Sequence, residues 1–146
     1  MSAMAENHGN ADSDDLIFDR AVNLLYEEEN IDEARTLAKK GYNIQKNEGA
    51  MSSASEFLML LAEIEFIEEN FQKALEYDLE ALHILKDIEK IGADALLNYQ
   101  LGRDYFELGN KRKAKSYFMA VIDLDEEERL YADDRYAEFM AEYLEG

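Results

Sequence analysis

Apolar residues recur with helical period from Asp14 onward. Phe18, Ala21, Val22, Leu25 and Tyr26 fall at spacings of three and four, which places them on one face of a helix. The pattern then restarts twice without losing register. Ala34, Ala74 and Ala114 are separated by steps of 40 residues (74 − 34 and 114 − 74), and so are Asn30, Asn70 and Asn110. The same step connects Ala21 with Leu61 and Leu101, Val22 with Ala62 and Gly102, and Tyr26 with Phe66 and Phe106. Further on it connects Leu37 with Tyr77 and Tyr117, and Gly41 with Ala81 and Val121. So many position classes kept in step indicate an internal repeat, and its helical period makes each copy a helix pair.

The pattern predicts first helices near 14–28, 51–68 and 91–108, second helices near 31–47, 71–88 and 111–127, and a seventh helix near 129–145. Asn30, Asn70 and Asn110 fall where each second helix begins, and asparagine is a strong N-cap because its side-chain oxygen accepts a free backbone N–H of the first turn. Glu33, three residues after Asn30, matches the acidic half of a capping box. The alanine four places after each cap, and Val22, Ala62 or Gly102 twelve places before that alanine, let two helices approach closely. Gly49 and Gly92 mark the joins between copies, since helix C-termini favour glycine. A lone pair of this size cannot bury its apolar faces, so the copies must stack, and about three are needed for stability. Residues 1–13 are polar and aperiodic, which predicts a disordered tail. Residues 14–146 then form one all-α domain, with repeats at about 14–50, 51–90 and 91–128 and a capping helix at about 129–145.

The pattern resembles the tetratricopeptide repeat. The third copy carries it most fully, in Leu101-Gly102, Tyr105-Phe106, Gly109-Asn110, Ala114, Tyr117-Phe118 and Val121. The resemblance covers roughly residues 15–125. Two departures stand out. The repeat step is 40 residues where the usual one is about 34, and the usual proline after the second helix is missing from every copy. Glu65 also stands where an apolar or aromatic residue is usual. The longer step is similar to that of bacterial peptide-sensing regulators and kinesin-light-chain-type domains.

The resemblance implies an α-solenoid of three helix-turn-helix repeats whose first helices line a concave groove for an extended peptide or a helix. It places Asp19, Asn23, Tyr26 and Glu27 on the groove from the first copy. Met59, Glu63, Phe66 and Ile67 follow from the second, and Tyr99, Arg103, Phe106 and Glu107 from the third. One subfamily grips a chaperone's C-terminal carboxylate with Lys, Asn and Arg residues. Asn23 and Arg103 sit at two of those places, but Asp19, Leu60 and Tyr99 replace other members of the set. Asp19 would repel a carboxylate, which argues against that clamp.

Composition narrows the function. The chain has no proline, which permits long uninterrupted helices, and no cysteine, which excludes disulfides and thiolate metal sites. The net charge of −19 disfavours direct contact with nucleic-acid backbones and favours a partner with a basic or apolar segment. The longest apolar run, Phe57 to Ala62, is far too short to span a membrane, and the N-terminus lacks the features of a secretory signal, so a cytoplasmic protein is expected. His8 and His83 are far apart, and no phosphate loop, nucleophile motif or calcium loop is present, so neither an enzyme nor a cofactor or metal site is expected. Lys111, Arg112, Lys113 and Lys115 form a basic cluster suited to an acidic segment or to a neighbouring acidic edge.

The seventh helix is expected to be apolar over about 200° of its circumference, more than a surface helix needs. Tyr136, Phe139 and Tyr143 are therefore candidates for a dimer or partner surface, with a homodimer through this helix as one outcome. The leading expectation is an adaptor or scaffold that binds a protein or peptide in its groove. A peptide-responsive regulator or small secretion-type chaperone is a second reading, and an acidic inhibitor that mimics nucleic acid is a third.

Overall fold

The computed structural model describes residues 16–87 and 95–122. The expected tail at 1–13, Gly92, and the helix at 129–145 with Tyr136, Phe139 and Tyr143 lie outside the described residues. The described chain forms six α-helices: α1 (16–26), α2 (Ile31–Asn47), α3 (Met51–Ile67), α4 (Phe71–Asp87), α5 (Ala95–Glu107) and α6 (Lys111–Ile122). No helix among the described residues is long and apolar enough to cross a membrane.

From α2 onward each helix packs on the next in the chain, and α3 also touches α5. The buried stripe of α2 is Ala34, Ala38, Gly41 and Gln45, and 40 residues on α4 buries Ala74, Asp78, Ala81 and Leu85. In α6 the stripe continues as Ala114, Phe118 and Val121. α3 is buried almost all round from Ala54 to Glu65, as a helix enclosed by neighbours must be. Two apolar clusters result. One joins Leu24 and Leu25 of α1 to Ala34 and Ala38 of α2 and to Phe57, Leu61 and Ile64 of α3. The other joins Leu58 of α3, Leu75 and Ile84 of α4, Leu97 and Leu101 of α5 and Phe118 of α6. Each fully buried Leu, Ile or Phe contributes roughly 1.5–3 kcal/mol of transfer free energy, so these clusters dominate the stabilisation.

Close approach of neighbouring helices, within a pair and between pairs, depends on the small residues. A Cβ on Gly102 would sit 2.6 Å from the Phe118 ring, and one on Gly41 would sit 2.4 Å from the Phe57 ring. The 40-residue register suggests why other copies tolerate side chains there. Where the third copy sets Gly102 with Phe118, the second has Ala62 with Asp78 and the first has Val22 with Ala38. The position grows on one helix as it shrinks on the other.

The bends share one backbone design. Glu69 N–H donates to the Phe66 carbonyl and Asn70 N–H to the Glu65 carbonyl, and Gly109 and Asn110 repeat this with Phe106 and Tyr105. Gly49 and Ala50 do the same with Lys46 and Gln45. These paired bonds end a helix through a left-handed residue, here Gly49 at φ 76°, Glu69 at 63° and Gly109 at 85°. The Asn30 side chain accepts from Glu33 N–H at 3.3 Å, and Asn110 accepts from Lys113 N–H at 3.2 Å, as N-caps do. The reciprocal half of the capping box takes another form. Asn30 N–H donates to the Leu24 carbonyl, so the Glu33 carboxylate accepts from Asn30 Nδ2 instead, at 2.8 Å.

Candidate functional site

The first helices of all three pairs contribute to one concavity of about 360 Å³. α1 supplies Phe18, Val22 and Tyr26, α3 supplies Glu56, Met59, Leu60 and Glu63, and α5 supplies Leu96 and Gln100. On α3 Glu56, the adjacent Met59 and Leu60, and Glu63 follow one another at about one turn, which is one helical stripe. The lining is apolar along its floor and carries carboxylates at Glu56 and Glu63.

A polar network that includes the wall residues Tyr26, Glu63 and Gln100 ties the three helices together. Tyr26 Oη of α1 donates to Glu63 Oε2 of α3 at 3.1 Å, and Arg103 of α5 donates to Glu63 Oε1 at 2.5 Å. The Arg103 guanidinium lies 3.7 Å from the centre of the Phe66 ring, a stacked cation–π arrangement. Burial alone would lower the Arg103 pKa, but the Glu63 carboxylate outweighs it and holds the guanidinium charged. Deeper still, Gln100 Nε2 donates to both the Met59 carbonyl at 3.2 Å and Asp78 Oδ1 at 2.8 Å. Asp78 and Asp104 are fully buried, and burial raises the pKa of each, with Asp104 pushed up to about 6.

A second, larger depression of about 880 Å³ lies along the bend edge, with Arg35, Glu65, Glu68, Phe71, Lys73 and Glu76 among its lining. Arg35 fills it with charge pairs to Asp32, Glu65 and Glu68. Burial would raise the Glu65 pKa, but hydrogen bonds from Arg35 and Asn70 prevail and lower it. Arg35 fastens α2 to α3 here, and the carboxylates of Glu65, Glu68, Glu69 and Glu76 outnumber the cations Arg35 and Lys73, so the depression stays acidic.

Of the residues expected on the groove, Tyr26, Met59 and Glu63 stand on the wall. Asn23 is exposed on α1, and Ile67 is 42% exposed beyond the end of the stripe. Phe66 and Phe106 are half-buried; Phe66 packs edge-on against Phe71 and Phe106 against the second cluster. Tyr99 and Arg103 do not face outward. They are 2% and 4% exposed, because Arg103 folds back onto Phe66 and Glu63 and Tyr99 packs towards Phe118 at 6.5 Å between ring centres. The wall also holds residues the repeat pattern left out, namely Phe18, Val22, Glu56, Leu60, Leu96 and Gln100. The register carried their signal, since Glu56 and Leu96 are one 40-residue step apart, as are Leu60 and Gln100. On α3 and α5 the wall thus lies about one helical turn nearer the N-termini than the resemblance implied, while on α1 both reach Tyr26.

Among the described residues no three His, Cys, Asp or Glu side chains come together as a metal-holding group. No model of a known protein family matches the chain, and no curated protein is found to be similar to it.

Proposed function

We propose that this chain is a protein-interaction module of tetratricopeptide type, an α-solenoid of three helix pairs that binds a peptide or protein segment on the face made by α1, α3 and α5. The observation that carries this reading is the composition of the concavity: every lining residue comes from the first helix of a pair, and the second helices contribute none. Helix-on-next-helix packing, the shared 40-residue register and the repeated bend geometry support the same architecture. The apolar floor with carboxylates at Glu56 and Glu63 suits a segment with apolar anchors and basic flanks.

The test is selection of random displayed peptides on the immobilised full chain, followed by affinity measurement against three variants. Tyr26→Ala and Glu56→Ala change the proposed face at exposed positions, and Lys40→Ala changes an exposed position on α2. The reading predicts that selected peptides lose affinity for the first two and keep it for the third. Selected peptides that bind all three variants alike, or a selection that yields no peptide, would overturn it.

A further inference from the structure

We propose that Asp78 and Asp104 form a proton-binding latch that fastens α4 to α5: one proton shared between the two carboxyls holds the second helix pair to the third, and its loss loosens that junction. This inference does not depend on what the α1–α3–α5 face binds.

The geometry requires the proton. Both residues are wholly inaccessible to solvent, Asp78 on α4 and Asp104 on α5, and the two helices pack together. Asp78 Oδ1 accepts from Gln100 Nε2, while Asp78 Oδ2 and both oxygens of Asp104 meet no protein donor. Asp104 stands one turn beyond Gln100 on the same buried face of α5, which brings its carboxyl to the stretch of α5 that Asp78 meets. Two carboxyl oxygens make a hydrogen bond only if one of them carries hydrogen. Asp78 Oδ2 is the oxygen left for it, since Oδ1 is already an acceptor. Two ionised carboxylates side by side in a dry interior would repel strongly, so the pair is held together by the proton and forced apart without it.

The surrounding charges do not replace the proton. Arg103, on α5, favours the ionised forms of both acids, but its guanidinium is already bonded to Glu63 of α3, and its Nε meets no acceptor. Glu63 itself opposes ionisation of Asp104. From α3 the Met59 carbonyl shares the Gln100 amide, and α6 presents apolar Ala114, Phe118 and Val121 to this core. The other junction has no such pair: the places of Asp78 and Asp104 in the register are held by Ala38 and by Leu24 and Ile64.

The sign follows from linkage. Both carboxyls bind protons more tightly in the folded chain than unfolded, so their contribution is complete below the unfolded carboxylate pKa and is lost as pH rises through the folded values. Asp104 loses its share as pH rises through about 6, and Asp78, raised well above its ordinary value by complete burial, continues beyond it.

The experiment is thermal unfolding of the full chain between about pH 5 and 9, in high salt to screen the net charge. The wild-type Tm should fall with rising pH by roughly 4 °C per pH unit for each proton still bound. Asp78→Asn supplies a permanent N–H donor to Asp104 and keeps an oxygen for Gln100, so its Tm should be flat above about pH 6 and exceed the wild type's at the alkaline end. Equal slopes in the two proteins would overturn the latch. Should the variant not fold, carbon-13 titration of the wild-type carboxyls decides. Asp78 still protonated at neutral pH supports the latch, and an ordinary acidic midpoint for both groups refutes it.

Discussion

The junction of α2 with α3 and the junction of α4 with α5 occupy the same place in the 40-residue register, yet they are built from different chemistry. The first is apolar inside apart from Gln45, and its charges gather where the partly exposed Arg35 meets the buried Glu65. Gly41 lets the Phe57 ring lie against the α2 backbone, Leu24, Ala38 and Ile64 fill the interior, and Arg35 clamps Glu65 and Glu68 at the partly exposed edge. The second carries its polar groups inside: Asp78, Asp104, Gln100 and Arg103 are all buried between α3, α4 and α5. Stacked helix pairs need complementary faces but not one recipe for them. An edge ion pair in contact with water contributes little and tolerates loss, whereas buried charges are coupled, so that removing one strands the others.

The contrast is tested most severely by removing the two arginines. Arg103→Met removes the ion-pair partner of Glu63 in the interior, leaving it the Tyr26 hydroxyl, and removes the guanidinium that acts on Asp78 and Asp104, and is expected to cost about 3–5 kcal/mol in urea unfolding. Arg35→Met leaves the buried Glu65 with Asn70 as its remaining donor and Glu68 near solvent, and is expected to cost less, about 1–3 kcal/mol. Equal losses would mean that the two junctions differ in appearance and not in energetics.

The apolar side of the first junction is tested at Gly41. Gly41→Ala drives a methyl into the Phe57 ring and should destabilise by about 1–3 kcal/mol. The second junction suggests the remedy, because Ala81 and Leu97 stand where the first has Gly41 and Phe57. Phe57→Leu should therefore recover part of the loss in the Gly41→Ala background while costing stability alone. A double-mutant cycle with no coupling would show that the two positions do not share their space.

The two junctions should also respond to pH with opposite signs. Glu65 ionises more readily in the folded chain than unfolded, so the stability it contributes is present above the unfolded glutamate pKa and is lost as pH falls through its lowered folded value. The buried acids of the second junction lose their contribution in the other direction. Chemical unfolding of Glu65→Gln should show a shallower acid limb than the wild type and an unchanged alkaline limb. An acid limb of the same depth would assign acid sensitivity to other carboxylates.

The positions of the six described helices, the asparagine caps at 30 and 110 and the alanines at 34, 74 and 114 were legible in the sequence, because spacing and capping act locally and repeat, whereas the Asn70 side chain turns to Glu65. The wall was legible only in outline. Glu63 and Arg103 lie one step apart and so sit side by side on neighbouring first helices, and opposite charges at that step signal a pair, not two separate contacts for a partner. Arginine's length allowed it to turn inward onto Phe66, which spacing alone does not encode. Asp78 and Asp104 were the least legible. Aspartate is rarely wholly buried, so a pattern of apolar positions reads both as surface until the neighbouring helices are in place.

The smallest expected effects separate backbone from charge at the two bends. Glu69 and Gly109 hold equivalent left-handed positions, but only one of them is glycine. A Cβ on Gly109 would meet nothing within 4 Å, so Gly109→Ala measures conformational strain alone, expected at about 1 kcal/mol of destabilisation. Glu69→Gly relieves the same strain and also removes a negative charge from the C-terminal end of α3, where the helix dipole disfavours it by about 0.3–1 kcal/mol. It should stabilise by about 1 kcal/mol. Glu69→Gln isolates the charge, since glutamine keeps the strained backbone. If Glu69→Gln recovers the whole gain, the left-handed turn costs nothing in this chain and the glycine at 109 is there for another reason. If it recovers less than half, the bend between α3 and α4 is held in a strained form by the packing of the helices on either side of it.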